Sequence, residues 1–220
     1  MKRNLTLSVL ALMVFFTSFV SCRKDAELSY SCDPGINEFV LVNLQKWEGI
    51  SLTEINQYGI DTQRAIFNAI STENCAALWH EKIDFLIANK VFEEQYNENL
   101  NELKSRLSSH VYGDSVLTYG INSYISERFQ SKVNNDTLIL YAFYRLTIDS
   151  YANFVTMNFE IPDPYANDYA GLKNCKCSTS SSGSVLPDCL PSYTCSAGGC
   201  NKKSWGCGEL FLYSCNGLCK

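Results

Sequence analysis

FEEQYNENLNELKSRLSSHV, residues 92–111, spaces Phe92, Tyr96, Leu100, Leu103, Leu107 and Val111 three or four positions apart. That spacing lays one apolar stripe along an α-helix, with Glu93, Glu94, Glu98 and Glu102 on the solvated side. The same period continues on both sides of it. Ser51 stands three residues before Glu54, the spacing of a capping box, and starts a short helix ending near Gly59. Thr62 to Ile70 carries Ala65, Ile66, Ala69 and Ile70 on one stripe, and Ser71 caps a longer helix reaching about Asn89, with Cys75, Leu78, Trp79, Ile83 and Leu86 inside. Leu117, Ile121, Tyr124, Ile125 and Phe129 form another apolar face, and Asp136 is placed to cap a last helix from Thr137 to about Phe154. The expectation is an all-α bundle of about five helices over residues 51–160.

Outside the bundle the chain changes character twice. At the start, the basic head Met1–Asn4 precedes an uncharged, mostly apolar run from Leu5 to Val20, which has the order of a secretion signal over residues 1–21. The run is shorter than a membrane span and ends against Arg23, Lys24 and Asp25. The sequence FVSC at 19–22 resembles a bacterial lipobox, with Phe19 departing from the usual aliphatic residue. This implies lipidation of Cys22, with the bilayer as partner through the N-terminal acyl chains, and display at the outer membrane or cell surface. RKDAE at 23–27 looks like the surface-export signals of Bacteroidota lipoproteins. Residues 22–50 read as a lipidated lead-in. At the other end, Pro162, Pro164 and the polar residues around them break any helix and give 161–174 the composition of a linker.

Beyond it, residues 175–220 hold Cys175, Cys177, Cys189, Cys195, Cys200, Cys207, Cys215 and Cys219 together with six glycines and no helical period. So short a segment cannot bury enough apolar surface to offset its chain entropy, whereas disulfides at about 2–4 kcal/mol each can hold it. The module is therefore expected to be disulfide-rich and turn-dominated. Zinc is the rival, but the segment lacks histidine and a paired C-x2-C frame. Eight cysteines leave the connectivity open. In the body, Cys32 and Cys75 form an even pair in an oxidising compartment and are expected to bond, two free buried thiols being the alternative.

Charge separates the two parts. Residues 23–174 hold 12 basic against 21 acidic residues, while the last 46 residues are net +2. An acidic body without a basic patch excludes nucleic acid as partner. No catalytic constellation is present: HEKID at 80–84 lacks the second histidine of a zinc protease, Cys75 and His80 are five apart and do not share a helix face, and no Gly-rich phosphate loop occurs. The chain is expected to act without enzymatic chemistry, metal or cofactor. Asp136-Thr137-Leu138 also fits a Bacteroidota O-glycosylation sequon, though a helix cap accounts for it equally.

NCKCST at 174–179, GCG at 206–208 and YSCNG at 213–217, with the cysteines between them, resemble the myxobacterial bacteriocin fulvocin C. QRAIFNAIS at 63–71 and ALWHEK at 77–82 are similar to the fulvocin C-related lipoproteins of Bacteroidota. Cys175, Cys177, Cys189, Cys195, Cys200, Cys207 and Cys215 match in order and approximate spacing, and Cys219 and the loop SSSGSVLP depart. The resemblance implies a cysteine-rich peptide that kills related bacteria through the membrane. Tyr193, Trp205, Phe211, Leu212 and Tyr213 would then form an interface-seeking surface, and Lys202 and Lys203 would meet anionic lipid. The body would screen the tail until the linker is cut. A surface-displayed module that uses the same residues to recognise a protein or glycan is the alternative.

Overall fold

The computed structural model describes residues 30–31, 33–156, 173–175, 177–179, 194–197, 200–201 and 203–219. The signal segment, Cys22, Cys32, Cys189, Tyr193, Lys202 and all of the linker but its last two residues lie outside them. Among the described residues the chain is an all-α body followed by a small disulfide-bearing region of short strands.

The body starts earlier than its periodicity suggested. Pro34–Val42 (α1) and Leu44–Trp47 (α2) are helical within the expected lead-in. Asp33 caps α1 by accepting from the Gly35 and Ile36 amides at 2.9 and 3.1 Å, and Pro34 occupies the first turn, where its missing N–H costs nothing. Ile36, Val40 and Trp47 are fully buried, and Trp47 Nε1 donates to the Val40 carbonyl at 3.0 Å. Three such residues are too few to show a period.

Leu52–Ile55 (α3) opens on the expected capping box: the Glu54 amide donates to Ser51 Oγ at 3.3 Å, and the Ser51 amide donates to Glu54 Oε2 at 3.0 Å. Ile60–Ala69 (α4) is buried along Thr62–Phe67, and Thr72–Ala88 (α5) is capped by Ser71 as expected. Residues 92–111 are not one helix. A 3₁₀ turn at Glu94–Tyr96 leads into Asn97–Arg106 (α6), Leu107 is extended, and a second 3₁₀ turn spans Ser109–Val111. The apolar stripe is nonetheless buried at Leu100, Leu103, Leu107 and Val111. Ser108 and Ser109, poor helix formers, mark the break.

Ser115–Ile125 (α7) passes into a π-helical turn, Ser126–Gln130, that buries Phe129. Leu117, expected inside, is exposed, and Thr118 turns inward instead, donating to the Val111 carbonyl at 3.0 Å. Asp136–Phe143 (α8) is capped by Asn135, one residue before the expected Asp136, and stops well short of Phe154. Side chains replace the helical ladder beyond it: Lys82 donates to the Thr147 carbonyl, Tyr141 to the Asp149 carbonyl, and the Ile148 amide donates to Asn56 Oδ1. Tyr151–Thr156 (α9) closes the body, so the described residues hold nine α-helices where about five were expected.

Among the described residues the tail forms three two-stranded ribbons. Lys173–Asn174 (β1) pairs in parallel with Cys200–Asn201 (β3), and Cys195–Ala197 (β2) pairs antiparallel with Gly217–Cys219 (β6). Lys203–Cys207 (β4) and Tyr213–Cys215 (β5) form a hairpin closed by the Cys207–Cys215 disulfide. Cys177–Cys195 joins the start of the tail to β2, and Cys175 is also disulfide-bonded. Gly217 lies against this bridge so closely that a Cβ there would come within 2.6 Å of Cys195 Sγ and 3.1 Å of Cys177 Sγ. The two described bridges close loops worth roughly 3 kcal/mol each.

Cys75 corrects the expected body pair. It is a free, buried thiol whose Sγ donates to the Phe67 carbonyl at 3.4 Å. Burial pushes its pKa up and keeps it protonated and unreactive.

Candidate functional site

The tip of the β4–β5 hairpin, Gly208–Leu212, enters the helical body. Leu210, Phe211 and Leu212 belong to one continuous core with Ile36, Trp47, Phe67, Trp79 and Phe143. Phe211 is 0 % exposed and meets two body rings edge-on, Phe67 at 5.2 Å and Trp79 at 5.5 Å between centroids, with the Arg64 guanidinium 5.9 Å from its ring centre. Burying a side chain of this size contributes about 1.5–3 kcal/mol.

The backbone yields to achieve this. Leu210 and Phe211 both take left-handed φ, at 53° and 58°, a conformation costing residues with a Cβ about 1–3 kcal/mol each. Two adjacent residues hold it because the turn points both side chains into the body. Gly208, at φ +71°, makes room for the hairpin to fold back: a Cβ there would fall 2.3 Å from the Tyr213 ring.

Beside Phe211, Glu209 is also fully buried, and the body supplies its donors. Tyr144 Oη donates to Oε1 at 2.5 Å, Gln130 Nε2 to Oε1 at 3.3 Å, and Asn122 Nδ2 to Oε2 at 3.3 Å. These come from α7, the π-helical turn and the residue just after α8. Asn122 Nδ2 also donates to Tyr213 Oη at 2.7 Å, and Asn68 Nδ2 donates to the Trp205 carbonyl at 3.0 Å. Burial raises the Tyr213 pKa, so its phenol stays protonated.

These contacts relocate the residues expected to meet a membrane or partner. Phe211 and Leu212 are buried, and Trp205 and Tyr213 are half-buried against the core. In the intact chain the body covers Phe211 and Leu212 and leaves Trp205 and Tyr213 only partly exposed, so the four are not a free apolar surface. Lys203 lies on β4. ELFLY, residues 209–213, reads as an exposed aromatic run only when the tail is assumed to stand alone. Glu209 in its midst is the signal pointing the other way, since an acid inside an apolar run needs donors from elsewhere.

Between α7 and the hairpin an open cleft of about 600 Å³ remains. Thr118 and Asn122 lie buried along it, Tyr119, Trp205 and Tyr213 bring aromatic rings, and Glu127 stands exposed at its rim. No basic side chain lines it among the described residues.

The remaining candidate chemistry of the body is structural. His80 Nε2 bonds the Leu107 carbonyl at 2.9 Å, and Glu81 Oε2 accepts from the Leu52 amide at 2.7 Å, so HEKID ties helices together. Lys82 is fully buried, 4.0 Å from the Tyr141 ring centre, and desolvation lowers its pKa well below the ordinary lysine value. Among the described residues no group of three His, Cys, Asp or Glu side chains could hold a metal ion, and no helix is long and apolar enough to cross a membrane. No protein-family model, curated protein or solved structure matches this chain.

Proposed function

We propose that this chain is an exported, lipid-anchored protein that carries a bacteriocin-like cysteine module in sheathed form, with the helical body as its carrier. The observation carrying this reading is the burial of the hairpin tip. Phe211 and Leu212, the side chains a membrane-active tail would insert into lipid, are spent on the body's core.

Two further observations support it. The acidic body faces a tail of net +2, a pairing that favours retention. The two body segments similar to fulvocin C-related lipoproteins, 63–71 and 77–82, are also the ones that supply Arg64, Phe67, Asn68 and Trp79 to the hairpin. On this reading, acyl chains on Cys22 hold the protein at the outer membrane or cell surface. A cut within 161–174 then frees the tail, whose partner becomes the membrane of a target cell.

The test compares intact protein with protein cut at a protease site inserted in 161–171, the released tail being separated with its disulfides intact. On dye-loaded vesicles containing phosphatidylglycerol, intact protein should leave the dye sealed and released tail should empty the vesicles. If the released tail is as inert as the intact chain, sheathed toxicity is wrong and the tail is a recognition module for a surface protein or glycan.

A further inference from the structure

We infer that the cleft between α7 and the β4–β5 hairpin is a binding site for a neutral carbohydrate. The inference rests on the composition of its walls and is independent of whether the tail is ever released. A volume of about 600 Å³ is that of a small-ligand site. Its innermost polar groups are uncharged: the Asn122 amide, with the residue only 7 % exposed, and the Thr118 hydroxyl. The Asn122 amide nitrogen is already committed to Glu209 and Tyr213, which fixes the side-chain plane and leaves its carbonyl oxygen as the acceptor for a ligand hydroxyl. Tyr213 Oη, accepting from Asn122, keeps its own proton to donate. Ser115, Ser123 and Ser214 add hydroxyls that both give and receive.

A floor of neutral donors and acceptors suits a polyhydroxylated ligand. The absence of basic side chains from the described lining disfavours phosphate, sulfate or carboxylate groups. Glu127 and Asp114 are exposed at the rim, where solvent and salt screen their pull on a cation, and Asp114 Oδ1 is already taken by the Val116 and Leu117 amides. The aromatic content completes the match. Tyr119 is 72 % exposed and is held there by the helix, and Trp205 and Tyr213 present half-buried rings from the opposite wall. Such rings offer flat apolar faces to the C–H side of a pyranose while the hydroxyls at its edge reach the polar floor. One wall belongs to the body and the other to the tail, so a bound sugar would also favour the docked hairpin.

Trp205 provides the readout. Of the chain's three tryptophans, Trp47 and Trp79 are fully buried in the core and Trp205 alone borders the cleft. Intact protein would be titrated with maltose, cellobiose, lactose and N,N′-diacetylchitobiose, with 3′-sialyllactose and choline as charged probes and a random peptide pool as a further competitor. At least one neutral disaccharide should shift the fluorescence saturably, with a Kd of about 1 mM or tighter. Calorimetry on Tyr119→Ala, an exposed position whose loss leaves the fold intact, should show about tenfold weaker binding of that sugar. Silence of all four neutral sugars, stronger binding of choline or peptide, or binding indifferent to Tyr119→Ala would each overturn the assignment. None of these outcomes bears on vesicle leakage.

Discussion

The helical body and the cysteine-rich tail both bury aromatic side chains and ionisable residues, yet they do so by different means. The body's core comes chiefly from its own helices, and several helix starts carry a local device, such as the Asp33 cap or the Ser51–Glu54 box. The tail's described strands are two to five residues long, and its ribbons are pinned by Cys177–Cys195 and Cys207–Cys215. Among its described residues, Leu210, Phe211 and Leu212 are not in a core of the tail's own; they complete the body's. Disulfides fix the shape of the tail, and the body supplies the surroundings its apolar tip requires. A module that looks self-sufficient by cysteine count is, at its centre, a plug in its neighbour.

The difference can be attacked directly. Phe211→Ala should have the largest effect, about 3–5 kcal/mol, because it empties a space between Phe67 and Trp79 rather than at a surface. Urea unfolding followed by tryptophan fluorescence should show one transition with a lower midpoint. Two transitions, with the body unmoved, would restore an independent tail. Breaking the hairpin clasp by the paired change Cys207→Ala and Cys215→Ala should cost about 2–4 kcal/mol while leaving the hairpin tip docked, as read by unchanged protection of the Phe211 and Leu212 amides from hydrogen exchange.

Two fully buried ionisable residues, one in each region, sharpen the contrast. Glu209 is received by three side-chain donors, so Glu209→Ala leaves Tyr144, Gln130 and Asn122 without that acceptor and should cost about 1–3 kcal/mol in the same urea experiment. Lys82 is an amine buried among rings. Its pKa in the folded chain is lowered well below the ordinary 10.5, while the unfolded chain keeps the ordinary value. Between the two values the unfolded chain binds the extra proton, so stability rises as pH climbs through that interval. Lys82→Met should flatten the rise, raising the melting temperature more at the acidic end of the interval than near pH 10.5.

Much of the body was legible in its sequence because local chemistry decided it. Ser51 with Glu54, and Ser71 before α5, cap where their spacing says they should. Where tertiary contacts decide, the periodicity overreached. The helix expected to reach Phe154 stops at Phe143 because Lys82, Tyr141 and Asn56, all distant in sequence from the groups they bond, except Tyr141, satisfy the backbone that follows. α1 and α2 went unseen because they are short and bury few residues. In the tail the cysteine count correctly indicated a disulfide-bearing region, but the partner of ELFLY is the body. That contact spans more than 140 residues between Phe67 and Phe211, a distance no local pattern reports. Asn122, which joins Glu209, Tyr213 and the cleft, carried no signal in its own segment.

The central claim, that the hairpin tip is part of the body's core, is tested most directly by a double-mutant cycle on Phe67→Ala and Phe211→Ala. Their rings meet at 5.2 Å across the two regions. In urea unfolding the combined loss should fall short of the sum of the single losses by about 1 kcal/mol or more, as for residues in contact. Additivity to within about 0.3 kcal/mol would mean the two rings do not share a core, and the docked tail would be contradicted.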